Sequence, residues 1–173
     1  LRGHQQALQL SLDIRMQAVV RTELAKAMEK FSAIGAAGIV LDVETGEVIS
    51  MVSLPDFNPN NPVSAAGIAG FNRATKGVYE MGSTFKLFTA AIALDSGRVR
   101  LRDRYDATKP LRVSRFKISD YHAKNKWMTV PEILVHSSNI GSAKMALDVG
   151  TLAQKKYLKN MGMLSPAGIE LPE

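Results

Sequence analysis

Gly82-Ser83-Thr84-Phe85-Lys86-Leu87-Phe88-Thr89-Ala90-Ala91-Ile92-Ala93-Leu94-Asp95-Ser96-Gly97 is the stretch from which the rest of the chain is best approached. Its apolar residues from Phe85 to Leu94 go most of the way round a helix, a pattern that predicts burial. Gly97 supplies the usual stop. Ser83 and Lys86 stand three apart at the helix start, so a helical backbone puts hydroxyl and amine on one face, a turn apart. That is the minimum geometry for a serine nucleophile served by a lysine base. A capping serine would suit the same position. A capping box, however, places Glu or Gln three residues on, and here that residue is a lysine. A cation in the first turn faces the positive end of the helix dipole. That field, with burial, lowers the amine's pKa and frees it to accept a proton.

The pattern has a second copy, Ser114-Arg115-Phe116-Lys117. Leu111 and Val113 alternate with Phe116 and Ile118, so Leu111–Ser119 reads as strand. In a strand, positions i and i+3 point to opposite faces, and this copy is set aside.

Elsewhere, Leu8, Leu10 and Leu12 alternate as an opening strand. Asp13 caps a helix from Ile14 to about Phe31 that buries Met16, Val20, Leu24, Ala27 and Phe31. Gly38–Val43 and Val48–Val52 form a hairpin about Glu44-Thr45-Gly46-Glu47. Ser53–Gly82 is a long connection with repeated Asn and Pro, of the kind that frames a site. Thr129-Val130-Pro131-Glu132 is a capping box that starts a helix. That helix meets Ser137-Ser138-Asn139 before a second helical stretch to about Leu147. A last helix covers Thr151–Met161 and closes at Gly162. Three small polar residues between two apolar helices suit a turn aimed into a cleft, and equally a plain interhelical turn.

Taken together, Ser83-Thr84-Phe85-Lys86 and Ser137-Ser138-Asn139 resemble the first two motifs of the active-site serine penicillin-recognising family, whose third is Lys-Thr-Gly. The resemblance is to the transpeptidase domain of class B penicillin-binding proteins. It extends over Leu10–Gln17, Gly38–Val43 with Gly46 and Val48–Val52, Pro55–Asn60 and Asn72-Arg73-Ala74. Tyr79-Glu80-Met81-Gly82 is more similar to the septal, cell-division members than to the elongation members, although many relatives carry proline at Met81. No Lys-Thr-Gly or Lys-Ser-Gly occurs in the 173 residues. In the family that motif lies on a later strand and supplies a carboxylate site and one oxyanion-hole amide. The expectation is therefore a single partial domain over 1–173, from a longer protein cut at both ends and with little covalent labelling by itself.

The resemblance implies an α/β (α+β) fold, an antiparallel sheet covered by helices, with its later strands missing here. It implies a peptidoglycan D,D-transpeptidase in which Ser83 attacks a D-Ala-D-Ala stem peptide and Lys86 takes its proton. Ser137 would relay a proton to the leaving amine, and Asn139 would hold the substrate amide and orient Lys86. β-Lactams would acylate the same serine. No metal or organic cofactor is implied. Implied partners are peptidoglycan, β-lactams and cell-division proteins, at the periplasmic side of the bacterial inner membrane, with a membrane anchor outside this chain. Two alternatives stay open. One is a β-lactamase or β-lactam sensor, since Ser-Thr-Phe-Lys also resembles the class D β-lactamase motif; Asn139 argues against it, because those enzymes place an aliphatic residue there. The other is a non-catalytic interaction module of the division machinery.

Composition sets the outer bounds. At 173 residues, 46% hydrophobic and 22% charged, the chain suits one domain or part of one. No apolar run reaches the length of a membrane span, and no signal peptide stands out. Zero cysteines exclude disulfides and thiolate metal sites. His4, His122 and His136 have no ligand spacing. Of the net charge of +6, the stretch Arg98–Lys126 holds ten basic residues against three acidic ones, a local +7. It lacks a nucleic-acid motif or stacking aromatic series. The reading is a solvated hairpin facing an anionic polymer or membrane surface, with no nucleic acid.

Overall fold

The computed structural model describes residues 8–172; Leu1, His4 and Glu173 lie outside them. The chain divides into two compact units, the described residues through Tyr79 with those from Ile169 on, and Glu80–Gly168.

In the first unit, Asp13 accepts hydrogen bonds from the amides of Arg15 and Met16 and so caps helix α1, Ile14–Phe31. Strands β1 (Ala36–Leu41) and β2 (Val48–Leu54) pair antiparallel, with Gly38 opposite Val52. Asp42 shapes the turn by accepting from the amides of Glu44 and Thr45. Helix α1 is fastened to β2 by one side chain: the Gln17 amide donates to Met51 O at 2.7 Å and accepts from Met51 N and Ser50 Oγ at 2.9 Å. Gly38 permits the close approach, since a Cβ there would lie 3.1 Å from Leu24 Cδ1 and 3.2 Å from Val20 Cγ1.

Two expectations fail in this unit. Leu8, Leu10 and Leu12 form no strand and are exposed; the segment only touches β2, through Ser11 Oγ to Val48 O and Asp13 N to Ile49 O. Along α1, Val20, Leu24 and Ala27 are half-buried, but Met16 is exposed and Phe31 is 72% exposed. The sheet that α1 packs on has only two strands, β1 and β2, and covers the helix in part. The connection after β2 is loop and two short 3-10 turns, Pro62–Ala65 and Gly67–Gly70, braced by an ion pair of 2.7 Å from Arg21 to Asp56.

The second unit begins with a 3-10 turn at Gly82–Thr84 that feeds helix α2, Phe85–Asp95. Strand β3 (Arg104–Asp106) pairs antiparallel with β6 (Trp127–Thr129), and β4 (Leu111–Val113) with β5 (Phe116–Ile118). Helices α3 (Val130–Val135), α4 (Asn139–Val149) and α5 (Thr151–Asn160) follow. The capping box is complete: Thr129 Oγ1 accepts from Glu132 N, and the Glu132 carboxylate accepts from Thr129 N. The Lys126 ammonium, bonded at 2.7 Å, and the Thr129 amide hold the Glu132 carboxyl down at about 2. The core gathers Ile92, Ala93, Met128, Val130, Ile133, Ile140, Met145 and Val149. Fully burying a side chain such as Ile133 or Met145 stabilises by about 2 kcal/mol each. Gly141 lets α4 seat on α3, since a Cβ there would be 2.5 Å from Ile133 Cγ1.

The architecture is mixed helix and antiparallel strand, as the α/β (α+β) reading requires, with helix laid over sheet where α1 covers β1–β2. Helix α2 is less enclosed than its composition suggests. Ala90, Ile92 and Ala93 are buried, but Leu87 in the first turns is 62% exposed. Leu111–Ser119 is a hairpin rather than one strand, with Ser114 at φ +53° in its bend. Among the described residues no helix is long and apolar enough to cross a membrane.

Candidate active site

Ser83 sits in the middle of the 3-10 turn, where the hydroxyl of Thr84 donates to Met81 O at 2.6 Å and ties the turn together. Gly82, at φ +58°, supplies a left-handed step there. Ser83 makes no side-chain cap for α2, which leaves its hydroxyl for other partners. Lys86, in the first turn of α2, donates to Ser83 Oγ at 3.0 Å. The same ammonium donates to Ser137 Oγ and to Ser137 O, both at 2.8 Å, and Ser137 Oγ donates to Ser83 Oγ at 2.9 Å. Hydroxyl, amine and hydroxyl close a triangle from residues up to 54 positions apart.

Ser137 reaches this place through an unusual backbone. Helix α3 ends at His136, and Ser137 follows in the left-handed region at φ +51°. Ser138 N donates to Ile133 O at 2.9 Å and Ser137 N to Leu134 O at 3.1 Å, the bond pair of a Schellman cap. Glycine usually fills that position. A serine there carries about 1 kcal/mol of strain, and its hydroxyl is what the strained turn delivers to Lys86. Next in sequence, Ser138 caps α4 by accepting from Gly141 N at 2.9 Å. Two helices therefore share one three-residue joint.

The electrostatics suit proton transfer. Half-burial pushes the Lys86 amine below the ordinary lysine value, and the negative charge of Asp120 acts in the opposite direction. As an ammonium, Lys86 has three N–H groups for three acceptors. As a neutral amine it keeps two for Ser137 and turns its lone pair to the Ser83 hydroxyl, without any change of neighbours.

Of the four residues singled out in the sequence, Ser83, Lys86 and Ser137 meet. Asn139 stands at the first position of α4 and its Nδ2 donates to Ser119 O at 2.9 Å. The Lys86 amine takes its acceptors from Ser83 and Ser137. Two further residues, Ser138 and Asp120, belong to the site. Asp120 Oδ2 accepts from Ser138 Oγ and its Oδ1 from Ile140 N, both at 2.9 Å. Partners 18 and 20 positions away leave no local pattern to find. The other Ser-x-x-Lys copy lies in the exposed β4–β5 hairpin, where Arg115 stacks over Phe116 at 5.2 Å. Among the described residues no cluster of three His, Asp or Glu side chains could hold a metal ion.

Comparison with known proteins narrows the reading. Residues 36–173 match the penicillin binding protein transpeptidase domain. The chain is 44% identical over 165 residues to the probable peptidoglycan D,D-transpeptidase FtsI of Caulobacter vibrioides, covering 95% of this chain and 28% of that protein. It is 38% identical over 156 residues to the peptidoglycan D,D-transpeptidase FtsI of Escherichia coli K12, covering 90% of this chain and 26% of that one. It therefore spans little more than a quarter of the length of these curated relatives. Among solved structures, the apo transpeptidase (TP) domain of Burkholderia pseudomallei penicillin-binding protein 3 superposes with a TM-score of 0.79 at 30% identity, covering 98% of this chain and 46% of that one.

Proposed function

The chain belongs to the penicillin binding protein transpeptidase domain family, and from that membership we propose that it carries the nucleophile half of a septal-type peptidoglycan D,D-transpeptidase. The supporting observation is the closed Ser83–Lys86–Ser137 triangle. Lys86 removes the Ser83 proton as Oγ attacks the carbonyl carbon of the penultimate D-alanine of a stem peptide. The Ser83 amide, ahead of α2, donates to the oxyanion. The tetrahedral intermediate collapses with cleavage of the C–N bond. The terminal D-alanine leaves as its amine, taking up the proton that passes from Lys86 by way of Ser137 Oγ. Asn139, at the rim, holds the donor peptide's amide. An acceptor amine from a second stem peptide then attacks the Ser83 ester, forms the cross-link and restores the hydroxyl.

β-Lactams enter the same reaction as acylating substitutes for the stem peptide. The whole protein works at the periplasmic face of the inner membrane, anchored there and in company with cell-division proteins. The relatives' names, peptidoglycan D,D-transpeptidases, support the peptidoglycan substrate. Residues 1–173 make up part of one transpeptidase domain.

Fluorescent penicillin labelling of the intact protein is the test. Covalent labelling that persists through denaturation and vanishes in Ser83→Ala is expected, while Ser114→Ala labels as the unmutated protein does. Labelling followed by rapid turnover of the drug would make the protein a β-lactamase. An intact, folded protein that takes no label would be an interaction module.

A further inference from the structure

We propose that Asp120 is a positioning residue of the acyl-transfer site, clamping the joint between α3 and α4 so that Ser137 keeps its bonds to Lys86 and Ser83. The inference rests on the acyl-transfer reading above and adds a residue to it. Asp120 follows β5 by two positions, and its carboxylate spans the joint: Oδ2 takes the Ser138 hydroxyl and Oδ1 takes the Ile140 amide, each at 2.9 Å. Its neighbour Ser119 accepts from Asn139 Nδ2 at 2.9 Å. Three successive residues, Ser138, Asn139 and Ile140, are thus held by two residues of another element. Ser137 immediately precedes them and supplies two of the three acceptors of the Lys86 amine.

The joint needs such an outside hold. Ser137 sits in a left-handed conformation that serine disfavours, and the Ile140 amide is one of the first in α4, which the helix itself leaves without an acceptor. Ser138 is 1% exposed, so its hydroxyl has no water to turn to. Without Asp120, the buried hydroxyl and the Ile140 amide both lose their acceptor, and the turn is free to relax away from Lys86. A displacement of about 1 Å at a catalytic contact costs on the order of a hundredfold in rate. The carboxylate also faces the amine electrostatically. From the elements packed around Lys86, the 3-10 turn presents Ser83 and the α3–α4 joint presents Ser137, both uncharged. The segment after β5 presents Asp120, whose charge holds the amine protonated to higher pH than burial alone would.

The test is penicillin acylation kinetics of the intact protein, resolved into half-saturating concentration and limiting rate. Asp120→Ala is expected to lower the limiting rate about ten- to a hundredfold while leaving half-saturation within about threefold. Asp120→Asn keeps an acceptor for the Ile140 amide and a polar partner for Ser138. It should recover most of the rate and move the acid limb of the pH profile to lower pH, because the charge is gone. Ser138→Ala, which removes one of the two bonds, should fall between. A purely structural cap would lower the melting temperature of Asp120→Ala while the folded protein acylates at the original limiting rate; that result overturns the proposal. Should Asp120→Ala fail to fold, an unmoved acid limb in Asp120→Asn with an undiminished rate in Ser138→Ala overturns it as well. Absence of labelling in the unmutated protein would instead defeat the transpeptidase reading on which this one stands.

Discussion

Ser83–Lys86 and Ser114–Lys117 repeat one four-residue spacing in two kinds of backbone. The first runs from a 3-10 turn into α2, and its hydroxyl and amine lie 3.0 Å apart. The second bends at Ser114, φ +53°, with Lys117 already on β5, across from Arg112. Both serines are exposed, so access does not separate them. A helical turn superposes residues three apart, whereas a hairpin bend sends them along different directions. A third group separates them further. Lys86 is held by Ser137 from the α3–α4 joint, and it is this partner that gives a Ser-Lys pair a fixed proton path.

The comparison can be broken most sharply at the lysines. Lys86→Met should reduce the penicillin acylation rate of the intact protein by about 10²- to 10⁴-fold, the usual range for a lost general base. Lys117→Met should leave the rate unchanged. Equal losses at both lysines would mean that the hairpin pair takes part in the chemistry.

The pH profile sharpens it next. The base works only as the neutral amine, so acylation rises as pH climbs through the Lys86 pKa. Burial places that pKa below the ordinary lysine value of 10.5. The acid limb of the rate should therefore lie below 10.5 and disappear in Lys86→Met. A limb at the ordinary lysine value would show an amine that is not desolvated.

The smallest effects concern the two left-handed serines. Ser137→Gly and Ser114→Gly each relieve a φ near +50°, so neither should lower the melting temperature, and each should stabilise by up to about 1 kcal/mol. Their activities should diverge. Ser137→Gly loses the hydroxyl that bridges Lys86 and Ser83 and labels slowly, whereas Ser114→Gly labels at the original rate. Matched behaviour would reduce Ser137 to a turn residue.

Much of this was legible along the chain because the forces involved act within about one helical turn. Asp13 capping α1, the turn about Glu44-Thr45-Gly46-Glu47, the Thr129–Glu132 box and the break at Ser137-Ser138-Asn139 each depend on partners two to five positions away. The same holds for Ser83 and Lys86, whose spacing together with an apolar run names both the helix and the chemistry. Where the local rules misled, the deciding term was what lay alongside. Phe31 has the periodicity of a core residue and is 72% exposed. Leu111–Ser119 alternates like one strand and folds back on itself.

The motif resemblance pointed to Ser137, but only tertiary packing brings its hydroxyl to the lysine. Ser137 meets Lys86 across 51 positions because α3 and α4 pack beside α2 through Ile133, Ile140 and Met145. Asp120 takes hold of that joint from a separate hairpin. Hydrogen bonds between distant residues depend on how whole elements seat in a core, and side-chain shape across the whole packing, rather than any short run of residues, settles that seating.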